Sequence, residues 1–152
     1  MGRVRNSGPI KSTGGFEVGV AASGMTAETN TLVVNSLGVP RYTLNVRIPD
    51  ISTASSEWVV APWAGTISKI YTVIRNAITL ADTNLTFELG GTAITGAAIV
   101  IATASSAAGD VDSSTPTALN VVTAGQAIEV VCDGGSTTAC EAVVTFVIEP
   151  GA

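Results

Sequence analysis

Hydrophobic and polar residues alternate along most of the chain after residue 41. In residues 42–48 every second residue is apolar, from Tyr42 to Ile48, and the residues between them are polar. A period of two is typical of a β-strand that buries one face. Similar runs predict further strands at residues 57–60, 66–75, 85–89, 98–102, 117–121, 126–132 and 142–148. The pattern therefore predicts about eight short strands.

Residues that favour turns separate the predicted strands. They are concentrated at residues 62–65, 81–84, 90–91, 105–116, 124–125 and 133–135. Within the third long run the alternation slips phase near Lys69 and Ile70, which predicts a β-bulge or a sharp twist. No segment carries a convincing helical period. Eight antiparallel strands with irregular loops predict an all-β fold, an antiparallel two-sheet sandwich of the jelly-roll type.

Residues 1–41 have a different character from the rest of the chain. Glycine and proline interrupt them repeatedly, and only short apolar pieces such as residues 31–34 lie between. Such a segment gains little from folding alone and usually becomes ordered against a partner or a neighbouring subunit. We therefore predict an extended N-terminal arm over residues 1–41 and a sandwich domain over residues 42–152. A floppy terminus is the alternative.

Composition and charge narrow the environment of the protein. Apolar residues make up 46% of the 152 residues and charged residues only 12%. No run approaches the ~18 apolar residues of a spanning helix, so no membrane partner is expected. The N-terminus lacks the apolar segment of a secretory signal, which predicts synthesis in the cytoplasm without export. A surface with so little charge favours packing into an assembly.

The basic residues are concentrated near the N-terminus. Residues 1–50 carry five basic and three acidic residues, a net charge of +2, whereas residues 51–152 carry two and nine, a net charge of −7. Arg3, Arg5 and Lys11 are candidates for a nucleic-acid arm. They have no aromatic residues between them, however, and the acidic remainder would repel phosphate. Nucleic acid is therefore not expected as a partner.

Candidate catalytic and metal-binding residues are few. The chain has no histidine, which excludes Ser-His-Asp and Cys-His machinery and removes the commonest metal ligand. Two cysteines are too few for a structural zinc site. Residues 110–114 imitate the start of a calcium loop, but Thr115 and Val121 stand where glycine and glutamate are needed. We expect no metal, no cofactor and no enzyme activity.

Paired carboxylates are the catalytic arrangement that the composition leaves open. A β-sandwich glycosidase needs two of them, and four glutamates lie in or at the end of predicted strands: Glu88, Glu129, Glu141 and Glu149. The phase of the alternation predicts that Glu88 and Glu129 point outward, away from their apolar neighbours. Solvated strand faces are thus the favoured interpretation.

Cys132 and Cys140 share the phase of inward residues and flank a loop rich in turn residues. This spacing predicts that they face each other across a hairpin. A cross-strand disulfide is one interpretation, if the protein ends up outside the cell. Two small buried hydrophobic residues are the other.

Trp58 and Trp63 are the only tryptophans. Exposed together, they would form a platform on which a sugar ring could stack. Packing in the core or in a subunit interface is the commoner use of tryptophan. Trp58 shares its strand with Val59 and Val60, which favours packing, and Trp63 lies in a turn.

Several stretches of the sandwich carry a family resemblance. Residues 48–149 resemble the small β-sandwich proteins encoded near the major capsid genes of tailed bacteriophages, of the head decoration (cement) or head-fibre type. The stretches that carry the resemblance are residues 48–52, 58–74, 85–91, 106–112 and 124–135. They are typical of a fold and contain no catalytic signature.

The resemblance implies a virion protein on the outer surface of the capsid, commonly a homotrimer that bridges capsomers. The major capsid protein would be its partner, and residues 1–41 its main capsid-binding element. The candidate contacts are the basic residues Arg3, Arg5, Lys11, Arg41 and Arg47. A glycan-binding module that uses Trp58 or Trp63 is the alternative function.

Overall fold

A computed structural model of the chain describes residues 41–149 and the backbone of residues 25–28, 31–34 and 150. The chain divides into two units, residues 1–38 and 39–152. In the first unit, strands β1 (Met25–Glu28) and β2 (Thr31–Val34) form an antiparallel ribbon. The remainder of the predicted arm before residue 41 lies outside the described residues.

The second unit consists of strands and their connections, and its described part contains no helix that could cross a membrane. The first strands are β3 (Tyr42–Ile48), β4 (Ser55–Val60), β5 (Gly65–Ile74), β6 (Thr83–Leu89) and β7 (Thr92–Ala93). The others are β8 (Ile99–Ile101), β9 (Val111–Ser114), β10 (Val121–Val122), β11 (Ala127–Cys132) and β12 (Ala142–Pro150).

These strands form two antiparallel sheets of five strands each. Sheet I has the order β10-β5-β12-β3, and β9 pairs with β5 beyond the end of β10. Sheet II has the order β4-β11-β6-β7, and β8 likewise pairs with β6. Each sheet is therefore four strands wide. At one edge of each sheet, two short strands pair with different parts of the same longer strand and share one position. Successive positions along the chain alternate between the sheets, except that β7 and β8 follow β6 within sheet II, and this is the connectivity of a jelly roll.

The predicted fold class, an antiparallel two-sheet sandwich, is confirmed. The sandwich has ten strands where about eight were predicted, because one edge of each sheet is divided between two short strands. The strand predicted at residues 42–48 has the same bounds as β3. Two predictions near the divided edges are wrong. Residues 105–116 are not a continuous loop, because β9 lies within them, and residues 117–121 contribute little more than the start of β10. β9 and β10 are short edge strands, and both pair with the longer strand β5.

The phase slip predicted in β5 is a real irregularity. Val147 pairs with Lys69 but Ile148 pairs with Ile67, so Ser68 is an extra residue on β5. Ile67 and Ile70 are both buried although they are three residues apart. The bulge thus restores the inward direction of the apolar residues that follow it.

The core lies between the two sheets and consists of the inward residues of each strand. Phe87 of sheet II and Phe146 of sheet I meet edge to face across it, with ring centroids 5.6 Å apart. Both rings are almost completely buried. The inward side chains of β11 and β12 lie at the centre of this core, and the outward side chains of the strands form the outer face of each sheet.

Candidate binding surfaces

The outer face of sheet I carries an apolar centre. Its outward side chains come from β3, β12, β5 and β9, and neighbouring rows are in register. In one row Val143 lies beside Val73, which lies beside Val111, and Tyr71 belongs to the next row. Tyr71, Val73 and Val111 are exposed. We call this surface the Tyr71 face: Thr43, Asn45, Arg47, Lys69, Tyr71, Val73, Val111, Ser113, Val143, Thr145 and Val147.

Arginine and glutamate border one end of the Tyr71 face. The carboxylate of Glu141 accepts hydrogen bonds from Arg47 and from Arg75, whose Nε lies 2.7 Å from Oε1. These two hydrogen bonds lower the pKa of Glu141 from its ordinary 4.5 to about 2. The side chain of Glu141 is largely covered, whereas both arginines remain exposed. Glu141 thus bridges two arginines, and the three side chains together carry a net positive charge.

Glu141→Gln should lower the melting temperature at neutral pH, because it removes the charge that holds both arginines. The folded pKa of Glu141 lies below its ordinary value, so its contribution is present above pH 4.5 and is lost as the pH falls toward 2. The difference in melting temperature between wild type and variant should therefore shrink over that range. Thermal unfolding followed by circular dichroism from pH 7 downward measures it.

Glu149→Gln is the matched control, since Glu149 makes one exposed ion pair, with Arg41 at 3.1 Å. Its effect should be small at every pH. An equal and pH-independent loss in both variants would contradict the special position of Glu141.

The other basic side chains of the sandwich also belong to sheet I. Lys69 donates to Thr115 Oγ1 at 3.0 Å, and its ammonium lies 5.7 Å from the centre of the Tyr71 ring. With Arg41, which precedes β3 and pairs with Glu149 of β12, the four basic residues of the described part all lie on or beside the Tyr71 face. Of the predicted capsid contacts, Arg41 and Arg47 are therefore brought to one surface. Arg3, Arg5 and Lys11 lie outside the described residues.

The outer face of sheet II has a different chemistry. Trp58 on β4 lies directly opposite Glu129 on β11, which lies directly opposite Glu88 on β6. We call these three residues the Trp58 row. The indole of Trp58 is 60% exposed, and the two glutamates are half-buried. Both glutamates point away from the core, as the alternation predicts.

Trp63 lies in the connection between β4 and β5. Its ring meets Tyr42 edge-on, with centroids 5.7 Å apart, and the Tyr42 hydroxyl donates to the Trp63 carbonyl. The side chain of Trp63 is nevertheless 65% exposed. Neither tryptophan is packed in the core, so of the two packing roles considered, only burial in a subunit interface stays a prediction. For Trp58 the reason is the strand period, which turns Val59 toward the core and Trp58 away from it.

The cysteine residues do not face each other across a hairpin, and that prediction is wrong. Cys132 ends β11 in sheet II, whereas Cys140 precedes β12 in sheet I, so the loop between them crosses from one sheet to the other. Both thiols are free and buried. Cys132 lies against the carbonyl of Ile51, and Cys140 against that of Asn76. Burial raises the pKa of the Cys132 thiol.

The segment that imitates a calcium loop is used structurally. The Asp110 carboxylate accepts the backbone N–H of Val111, and Asp112 lies within β9 opposite Thr72. Burial and the nearby charge of Asp110 raise the pKa of Asp112. Within residues 41–149, no three carboxylate or cysteine side chains come close enough together to hold a metal ion.

Tyr71, Val73, Val111 and Val143 were not anticipated as a surface. The signal for two of them is the bulge at Ser68, since after it Lys69, Tyr71 and Val73 take the outward positions. No pattern in the sequence indicated that Val111 belongs to this surface, because residues 105–116 were predicted to be a loop.

The fold and its surfaces define a jelly-roll domain with two broad outer faces of contrasting charge. The chain matches no protein-family model, and no characterised protein is significantly similar to it in sequence.

Proposed function

We propose that the protein is a virion structural protein that decorates and stabilises the outside of a phage capsid. It would act without enzyme activity, as a homotrimer that bridges capsomers, and its partner would be the major capsid protein. The jelly roll supports this proposal only weakly, because viral capsid domains, lectins and cupins all use it. The proposal therefore depends on the surfaces.

The observation that carries the proposal is the composition of the Tyr71 face. Protein interfaces typically have an apolar and aromatic centre with a polar, often arginine-bearing rim. Tyr71, Val73 and Val111 form such a centre, and Arg47 lies at its border. The strands beneath are paired along their length, a preorganised arrangement that favours docking without backbone rearrangement. We infer that this face contacts the shell, together with the part of the arm that follows the basic residues 1–11.

Val73→Asp should weaken binding to shells by at least about tenfold, because it places a charge at the centre of the docking face. Co-sedimentation of the full chain with shells assembled from the major capsid protein of the same genome measures the affinity. Val100→Asp is the matched control, since Val100 is an exposed outward valine on sheet II. It should bind as wild type does.

Two results would count against this proposal. Undiminished binding by Val73→Asp would exclude the Tyr71 face as the docking surface. No binding by the wild-type chain would contradict the decoration role itself. Deletion of the arm tests its predicted part in binding, and undiminished binding without it would show that prediction to be wrong.

Glycan binding is the second candidate function. The observation that favours it is the exposure of Trp58 and Trp63, since an exposed indole ring offers a surface on which a sugar ring can stack. A glycan array probed with the full chain, with Trp63→Ala and Trp58→Ala beside it, separates this function from a decoration role.

A further inference from the structure

The two glutamates of the Trp58 row are like charges at directly paired positions. Glu88 and Glu129 are directly opposite each other on adjacent antiparallel strands. Residues in such positions have Cβ atoms roughly 5 Å apart, and like charges there destabilise the sheet. A bound cation between the two carboxylates would remove this repulsion.

Two other glutamates of the sandwich, which lie beside the Tyr71 face, are paired with arginine. Glu141 has two arginine partners and Glu149 has one. Within residues 41–149 neither glutamate of the Trp58 row forms an ion pair, and the four basic side chains of that part are all at sheet I. The described part of the sandwich thus leaves the charge of the Trp58 row uncompensated.

Trp58 favours a cation that carries an ammonium or guanidinium group. Tryptophan is the best aromatic partner for an ammonium or guanidinium group, at up to about 6 Å from the ring centre. A guanidinium can stack on an indole and also donate to neighbouring carboxylates through its fork of N–H groups. An exposed indole in register with two carboxylates therefore fits an arginine or lysine side chain that arrives from outside the sheet.

The chain itself contains a segment of the required charge. Residues 1–11 carry Arg3, Arg5 and Lys11 and no acidic residue, and they lie outside the described residues. We propose that this basic segment of one copy binds the Trp58 row of a second copy, with an arginine over Trp58 and between Glu88 and Glu129. This inference rests on the proposed assembly as a homo-oligomer.

We take a second copy as the source of the basic segment because the proposed function is that of a homo-oligomer. In such an assembly each chain offers one basic segment and one Trp58 row. Such head-to-tail contacts close into a ring when the rotation between copies allows it, as a trimer requires. The contact is mainly between charges near the protein surface, so it weakens as salt is added.

The test compares self-association of full-length variants in the absence of shells. Analytical ultracentrifugation should show an oligomer for the wild type. Trp58→Ala and the triple variant Arg3→Ser/Arg5→Ser/Lys11→Ser should each raise the dissociation constant by at least about tenfold. Trp63→Phe is the control and should associate as wild type does. It also leaves Trp58 as the only tryptophan, so its fluorescence should change on dilution and on addition of salt.

Mixing the two defective variants distinguishes a contact from general damage. Trp58→Ala keeps its basic segment, and the triple variant keeps its Trp58 row. Neither should associate alone, but an equimolar mixture should form pairs. A folded monomer in each case, checked by circular dichroism, shows that the loss is a loss of contact.

Several outcomes would overturn the inference. These are association that neither variant weakens, a mixture that forms no pairs, and a Trp58 fluorescence change that is independent of concentration, which would indicate docking within one chain. Glycan binding that Trp58→Ala abolishes and the triple variant retains would assign the row to a sugar instead. This test uses no shells. A negative result here would therefore not change the result of the shell-binding experiment, and the two proposals can fail separately.

Discussion

Replacing Phe146 with alanine is expected to lower the free energy of unfolding by about 3–5 kcal/mol. Phe146 is fully buried on β12, the strand that lies between β3 and β5 in sheet I. Its ring meets Phe87 of the opposite sheet nearly at right angles, at an interplanar angle of 87°. Truncation removes this contact and leaves a cavity that two paired sheets cannot easily close. Denaturant unfolding at 25 °C measures the loss.

Thr145→Ala is the control on the neighbouring residue. Thr145 points outward and donates to the side chain of Asn45 at 2.8 Å, so its replacement should cost less than about 1.5 kcal/mol. A double-mutant cycle with Phe87→Leu and Phe146→Leu should give a coupling of roughly 0.5–1.5 kcal/mol for the aromatic pair. Equal losses for Phe146→Ala and Thr145→Ala would contradict the central position of Phe146.

The local structure of the sandwich was largely predictable from the sequence. Strict alternation between Tyr42 and Ile48, followed by Pro49, predicts β3 to the residue. The phase slip in β5 predicts the bulge within two residues. In contrast, β9 reads Val-Asp-Ser-Ser and has too little apolar alternation to be recognised. Its order comes from pairing with β5, which is information that no local window contains.

Strand pairing was less predictable than strand position. β11 and β12 follow each other along the chain with a turn-rich loop between them, and this pattern is typical of a hairpin. In the fold they belong to different sheets, because β12 pairs with β3 and β5 instead. The partners of β12 are distant in sequence, so their preference for it is a property of the whole core. This topology explains why Cys132 and Cys140 do not face each other.

The same contrast between strand position and strand pairing applies to the candidate surfaces. The outward direction of Glu88 and Glu129 follows from alternation alone, and the structure confirms it. That they lie opposite each other, beside Trp58, follows from the register of three strands that are far apart in the chain. The sequence therefore identifies the side chains but not their arrangement. The decoration function and the absence of catalysis stay predictions.

Gly134→Ala is expected to lower the free energy of unfolding by about 3–5 kcal/mol, because the added methyl group has no space. Gly134 lies in the loop that crosses between the sheets, with a φ of +71°. A Cβ at this position would lie 2.3 Å from the backbone nitrogen of Ala54, and backbone atoms cannot yield as a flexible side chain would. The variant carries both this collision and the strain of a positive φ.

Gly109→Ala separates the collision from the strain of a positive φ. Gly109 has a φ of +83°, yet nothing lies within 4 Å of a Cβ placed there. Its replacement should cost only the conformational strain, about 1–2 kcal/mol. Asparagine tolerates a positive φ better than alanine does. Gly109→Asn should thus recover part of the loss, whereas Gly134→Asn should not. Denaturant unfolding of the four variants measures this, and equal losses at both positions would show that the crossing loop moves away from Ala54 at little cost.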